Sequence, residues 1–382
     1  MYHPGYYGIH EQLTLDQFDF DYTTSTTPHT VKFTAYGCVD MVVDWGDGGG
    51  TDTYNGTASC SHAYATPDTY TVSITSGTAT NIRFGLDAGT TPTLLTRVGW
   101  INPNLGLNSA AYMFRSVVNS TVDTAFFDDA SGNITDFNQM FRLSNFNAAV
   151  SGWNLGRATS IYGIFYDNTT FNQDVGDWVF PLCTDMYAAF YGCTAFVGTG
   201  LDDWDVSDVQ NMGYLFYGCT SLATDITGWD TGSATKFNYM FAVAGTFNQN
   251  LGSWNTANVD AMNAMFYNCS SFNQNLNSWD IRKVTITDYM FQGTVIKQSF
   301  ADWKPEALAS AVFMFVSLDI NDPNSATNQT NYDALLNGWA AEAVLDSVRI
   351  DVSNTKYSAA GAASRTHLAT THSWTIYDNG QA

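Results

Sequence analysis

Positive charge is scarce in this chain: 14 Lys and Arg stand against 36 Asp and Glu in 382 residues, a formal charge of −22. A surface so short of cations repels a phosphate backbone and argues against a nucleic-acid partner. Apolar runs are short too, none approaching the ~18 residues of a membrane span. Six cysteines are too few for a disulfide-dense scaffold, and no CxxC or Cys/His spacing suggests zinc. Cys38 and Cys60 are left as a pair that bonds or stays free. Histidine is missing from the long central stretch, since His3, His10, His29, His62, His367 and His372 all lie outside residues 98–320. That withholds the commonest general base from the largest surface. There is no G-x-S-x-G and no HExxH, and GDGGG at 46–50 lacks the lysine and the strand-to-helix setting of a phosphate loop. The first residues, MYHPGYYGIHEQ, have neither the basic start nor the apolar run of a secretory leader.

What is present is aromatic and uncharged. Hydrophobic residues make up 45% and aromatics 15% against 13% charged, so the chain is ordered. Thr, Ser, Asn and Gly supply the polarity, which suits strands and turns.

One phrase returns: FYGCTAFVGTGLDDWD at 190–205, FYGCTSLATDITGWD at 216–230 and FYNCSSFNQNLNSWD at 266–280. Its phenylalanine recurs as Phe114, Phe141, Phe165, Phe190, Phe216, Phe241, Phe266, Phe291 and Phe315, at intervals of 24 to 27 residues. Trp153, Trp178, Trp204, Trp229, Trp254, Trp279 and Trp303 each stand 12 residues ahead of theirs, with Trp100 ahead of Phe114 and Phe127 in place of a Trp. Such a period is the signature of a solenoid whose units bury their faces against neighbours. These Trp and Phe residues are the expected interior. Val209, Met212, Leu215, Phe216 and Cys219 are spaced as on one face of a short helix. Phe272, Leu276 and Trp279 would face inward from an extended arc. Cys193, Cys219 and Cys269 read as small buried hydrophobes. Asn172, Asn248 and Asn273 read as structural hydrogen-bond ladders. Asp205, Asp230 and Asp280, with Asn255 between, form a surface acidic column of solvated turn residues or, alternatively, of Ca²⁺ ligands. No other cofactor or metal is expected, and no catalytic residue. The four carboxylates of LDDWDVSD at 201–208 are the nearest approach to a glycosidase pair.

The pattern W-D-x-S-x-V-x-N-M-x-x-x-F-Y-x-C-x-x-F-N-Q-x-L, clearest in WDVSDVQNMGYLFYGC at 204–219, resembles the repeat of BspA-like leucine-rich-repeat surface proteins, including those of mycoplasmal lipoproteins and of marine viral and bacterial genomes. The resemblance covers roughly 98–320 and implies adhesion or binding, with no shared catalytic residues. The tail at 328–380 is similar to the segment that closes such arrays. Ahead of the array, VDWGDG at 43–48 and HAYATPDTYTVSI at 62–74 are similar to the polycystic-kidney-disease type of immunoglobulin-like domain, with Trp45 in its core.

The expected architecture is mainly β with short helices: an N-terminal arm (1–28), a β-sandwich (29–85), a leucine-rich-repeat-like solenoid of about nine coils (98–320) and an α/β C-terminal cap (321–382). The arm is either a docking element or a strand of its own sandwich. The expected role is that of a non-enzymatic virion structural or attachment protein, a phage fibre or capsid decoration, on the virion surface. The arm or sandwich would hold other virion proteins and the solenoid a host-surface glycan or protein, as a homo-oligomer. The alternatives are a cellular surface adhesin or appendage subunit, extracellular, and a carbohydrate-active enzyme on the same scaffold.

Overall fold

The computed structural model describes residues 18–25, 29–84, 95–101, 105–118, 121–122, 133–315, 326–352 and 355–382. Phe127, most of the N-terminal arm and the Trp100 side chain lie outside them.

Strands β1 (Phe18–Thr23), β2 (His29–Asp44), β3 (Thr51–Tyr64), β4 (Thr69–Thr78), β5 (Asn81–Arg83), β6 (Leu95–Ile101) and β7 (Thr121–Val122) form one seven-stranded sheet. Its order is β3-β2-β4-β1-β6-β7, with β5 also on β2, and every pairing but β6 with β7 is antiparallel. Alternation in β1 buries Phe18, Phe20 and Tyr22 and turns Asp19 and Asp21 to the other face, where Arg97 bonds both carboxylates. The expected two-sheet sandwich is therefore corrected to a single hydrogen-bonded sheet. The cause is β2, whose 16 residues slip register between Ala35 and Cys38 and again before Met41. Those bulges let one strand pair with β3, β4 and β5 in turn. Trp45 is buried, stacked on His62 at 5.2 Å, and its indole donates to Asp52 at 2.8 Å. Gly46 is required behind it, because at φ +77° a Cβ would lie 2.2 Å from the Thr71 carbonyl oxygen. All six cysteines, Cys38 and Cys60 among them, are free and buried.

The leucine-rich-repeat-like solenoid is also corrected, for the repeats form neither a closed nor a solenoid sheet. From Ser109 to Ser310 neighbouring units meet through isolated parallel bridges of one residue each: Ser160 to Asp185, Asp185 to Asn211, Asn211 to Lys236, and so on. The helix expected over 209–219 is absent. Two residues per unit, two before and two after the recurring phenylalanine, adopt positive φ: Tyr214 (57°) and Gly218 (71°) in one, Tyr239 (57°) and Val243 (63°) in the next, Ala264 (53°) and Asn268 (56°) in the one after. A left-handed residue at every fourth position ends any α-helix. The N–H groups then alternate in purpose. Leu215, Tyr217 and Cys219 donate to the carbonyls of Met212, Tyr214 and Phe216 within the turn, while Tyr214, Phe216 and Gly218 donate to Asn238, Met240 and Ala242 of the next unit at 2.8–2.9 Å. Turns produce the apolar spacing that reads as a helix.

The C-terminal part holds β8 (Ser310–Ala311), α1 (Ala326–Ala340), β9 (Arg349–Asp351), α2 (Ala359–Thr371) and β10 (Thr375–Tyr377). The three strands form a parallel sheet in the order β10-β9-β8. Ser310 bridges Ile286 on one side and pairs with Arg349 on the other, so parallel pairing runs from the repeats into this segment. Helix α1 buries Tyr332, Leu335, Leu336 and Trp339 on one face. It approaches so closely at Gly338 that a Cβ there would lie 2.1 Å from the Ala301 carbonyl oxygen.

Candidate functional site

The recurring aromatic residues are interior. Trp153, Trp178, Trp204, Trp229 and Trp254 are buried and stack at 6.0–6.2 Å with interplanar angles of 2–16°. Trp279 and Trp303 are buried as well. Each indole from Trp178 to Trp303 donates to a carbonyl of the preceding unit, Trp204 to Val175 at 2.9 Å and Trp229 to Leu201 at 2.8 Å. Phe165, Phe190, Phe216, Phe241, Phe266 and Phe291 form a second buried column at 5.7–5.9 Å. Phe84 and Phe114 extend it, stacked at 5.7 Å, into the core of the N-terminal sheet. Burial raises the thiol pKa values of Cys193, Cys219 and Cys269, which donate to carbonyls of the preceding unit and are unreactive there.

Repeated polar side chains hold the turns. Asp205 accepts from the Ser207 N–H at 3.1 Å, Asp230 from Gly232 at 2.9 Å, Asn255 from Ala257 at 3.1 Å and Asp280 from Arg282 at 3.0 Å. These are Asx turns. The Ser207 hydroxyl and N–H hold the Asp205 carboxyl below its usual pKa, and Arg282 does the same for Asp280. No group of three or more His, Cys, Asp or Glu among the described residues is arranged to hold a metal ion. Asn172 and Asn273 donate their N–H groups to Asn147 and Asn248, and their own side chains accept from Val197 and Lys297 in the following units. A cleft of about 140 Å³ gathers Asp203, Asp205 and Asp208 beside Trp178, Phe180 and Pro181.

Successive units also carry two files of tyrosine. One file runs Tyr162, Tyr187, Tyr214, Tyr239 at centroid spacings of 5.4, 5.2 and 4.5 Å, and a second runs Tyr166, Tyr191, Tyr217 at 4.2 and 4.4 Å with rings within 1° of parallel. All seven are half-buried. Burial and neighbouring rings push the Tyr214 hydroxyl up to about 12. At the N-terminal end of this face the chain's own cations lie on the rings. Arg83 sits over Tyr36 at 4.6 Å and over Tyr112 at 4.8 Å, and Arg142 over Tyr166 at 4.6 Å. The sequence carries a sign of this face in the FY pairs Phe165–Tyr166, Phe190–Tyr191, Phe216–Tyr217 and Phe266–Tyr267, which a reading fixed on the phenylalanine passes over.

The family described as Mycoplasma protein of unknown function, DUF285, matches residues 108–199 and 184–303, just over half of the chain. The match supports the BspA-like, mycoplasmal repeat resemblance and takes in none of strands β1 to β6 of the N-terminal sheet. No curated protein and no solved structure matches the chain.

Proposed function

We propose, for a chain that belongs to the family described as Mycoplasma protein of unknown function, DUF285, a non-enzymatic attachment role in which the tyrosine-lined side face holds a partner. The observation that carries this reading is the division of labour within each unit. The repeated Trp, Phe, Cys, Asn and Asp side chains lie inside the stack or hold its turns, while the stacked tyrosines, half-buried, form a continuous aromatic surface along successive units. Stacked rings preset in one orientation lose little side-chain entropy on binding, which favours them as a contact surface. A host-surface glycan or protein is the partner, and the N-terminal sheet is the end that joins the protein to a larger assembly as a homo-oligomer.

The assembly we propose is a virion. Mass spectrometry of purified particles tests it: the protein should be present at fixed stoichiometry, and its absence would remove the virion setting. A cell surface is the second setting, favoured by the mycoplasmal description of the family, and labelling of intact cells with antibody to the chain would reveal it. Polysaccharide turnover by the purified protein, lost in Asp203→Asn or Asp205→Asn, would replace attachment with catalysis in the acidic cleft.

A further inference from the structure

One unit departs from the turn chemistry of its neighbours. The residue after the tryptophan is Asn154, Asp205, Asp230, Asn255 or Asp280 in other units, and each accepts the N–H two residues on. After Trp178 the same place is Val179, which has no acceptor, and two residues on stands Pro181, which has no N–H to give. The turn still closes, the Cys183 N–H donating to the Phe180 carbonyl at 3.0 Å as Val209 does to Val206 in the next unit. The fold therefore needs neither the Val179 nor the Leu182 side chain, which are 68% and 55% exposed. The surface positions of this turn are all apolar, Val179, Pro181 and Leu182, where the next unit has Asp205, Ser207 and Asp208. Val179 and Pro181 border the cleft of about 140 Å³ that Asp203, Asp205 and Asp208 line from the next unit. Phe180, edge-on to Trp204 at 4.9 Å, lies between them, and no Lys or Arg among the described residues lines the cleft.

An apolar lip facing a row of carboxylates suits a ligand that carries both characters side by side. Lys and Arg lay an aliphatic stem along apolar surface and hold a cationic head beyond it, here toward the carboxylates. The formal charge of −22 draws cations to this surface and opposes both an anionic partner and a second copy of the chain. We propose that the lip and cleft are a docking site for an exposed segment of a partner protein in which a basic residue stands beside an apolar one. The basic side chain enters the cleft over Phe180 and Pro181, and its apolar neighbour covers Val179 and Leu182. The site lies outside the tyrosine files and rests on the attachment reading only in that the partner is a protein.

The test is an NMR titration of the full chain, ¹³C-labelled at Val and Leu methyls, in about 150 mM salt, with the peptide acetyl-Leu-Lys-Leu-Lys-amide as the probe. The expected result is a saturable shift of the Val179 and Leu182 methyls with a Kd of about 1 mM or tighter. Acetyl-Ser-Lys-Ser-Lys-amide, which keeps the charge alone, and acetyl-Leu-Glu-Leu-Glu-amide, which reverses it, should each bind at least about tenfold more weakly. By calorimetry, Val179→Ser/Leu182→Ser and Asp203→Asn/Asp208→Asn should each weaken binding at least about fivefold. All four side chains are exposed, so the melting temperature should not change. Three results would overturn the proposal: no saturable shift at about 10 mM peptide, equal binding of either control peptide, or full affinity in either variant. Self-association of the chain that Val179→Ser/Leu182→Ser abolishes would also overturn it, in favour of a second copy on the lip. The peptides need no assembled particle, so failure here leaves the attachment reading to its own test.

Discussion

The indole nitrogen of Trp339, on helix α1, donates to the carbonyl oxygen of Phe300 at 3.1 Å. Trp303 makes the same bond to Leu276 at 2.8 Å and Trp279 to Leu251 at 2.8 Å, each reaching a residue three positions before the preceding tryptophan. Helix α1 thus supplies the next tryptophan of the series from a segment with no repeat of its own, and closes an end that would otherwise expose apolar rings.

Trp339→Phe keeps most of the buried ring and removes the donor. It should cost about 1–3 kcal/mol, the penalty for a buried carbonyl left without its partner. Hydrogen exchange should quicken in residues 291–315 while units near Phe190 stay protected. Uniform exchange along the array would refute a closing role.

Phe216 is fully buried between Phe190 and Phe241 at 5.9 Å on either side. Phe216→Ala should destabilise by about 3–5 kcal/mol, since the column on both sides restricts collapse of the cavity. Urea denaturation measures it, and a loss below about 1 kcal/mol would contradict the interior position.

Val243 is a β-branched residue at φ 63°, where Gly192, Gly218 and Gly293 stand in other units. Relief of left-handed strain is worth about 1–2 kcal/mol and the added entropy of glycine costs about 0.5–1 kcal/mol. Val243→Gly should therefore stabilise by roughly 0.5–1 kcal/mol. The reverse exchange, Gly192→Val, should destabilise, because a Cβ there would meet Asp167 Oδ1 at 2.4 Å. Thermal melts of the two variants should move in opposite directions.

Alkaline pH should loosen the tyrosine face. Tyr214 has its pKa raised to about 12, so the folded chain keeps a proton that the unfolded chain releases near pH 10. The contribution is complete below about pH 10 and is lost as pH rises toward 12. Asp205 behaves oppositely: its lowered pKa stabilises the fold above about pH 4, and that stability is lost on further acidification. Denaturation midpoints should hold from pH 8 to about 10 and fall from there to 11.5, and Tyr214→Phe should flatten that limb. An unchanged limb in the variant would contradict the assignment.

The repeat period was legible because it is carried by large interior rings, Trp204 to Trp229 to Trp254, whose loss from any unit would open a cavity. The conformation of each unit was not. Val209, Met212, Leu215, Phe216 and Cys219 obey helical spacing, yet Tyr214 and Gly218 are left-handed and turn the segment into a run of separate turns. Gly192, Gly218 and Gly293 carry the signal for that conformation, diluted by Leu143 and Val243 at the same position. In the N-terminal sheet, separate strands suggested two layers, whereas the length of β2 and its two register slips join them. The tyrosine face went unread because a residue one after a buried phenylalanine has no fixed side in a sequence until the turn is known.

In-register stacking of successive units is the central claim, and disulfide trapping tests it most directly. Asn211 bridges Lys236, and Lys236 bridges Ala261. Bridged Cα atoms lie about 5 Å apart, within the ~4.4–6.8 Å that a disulfide spans, while residues two rungs apart are separated by roughly twice that distance. The native cysteines are all buried, which keeps them out of the reaction. Under mild oxidation the Asn211→Cys/Lys236→Cys double variant should crosslink rapidly and Asn211→Cys/Ala261→Cys should not. Crosslinking of the second pair as readily as the first, or failure of the first, would contradict the account.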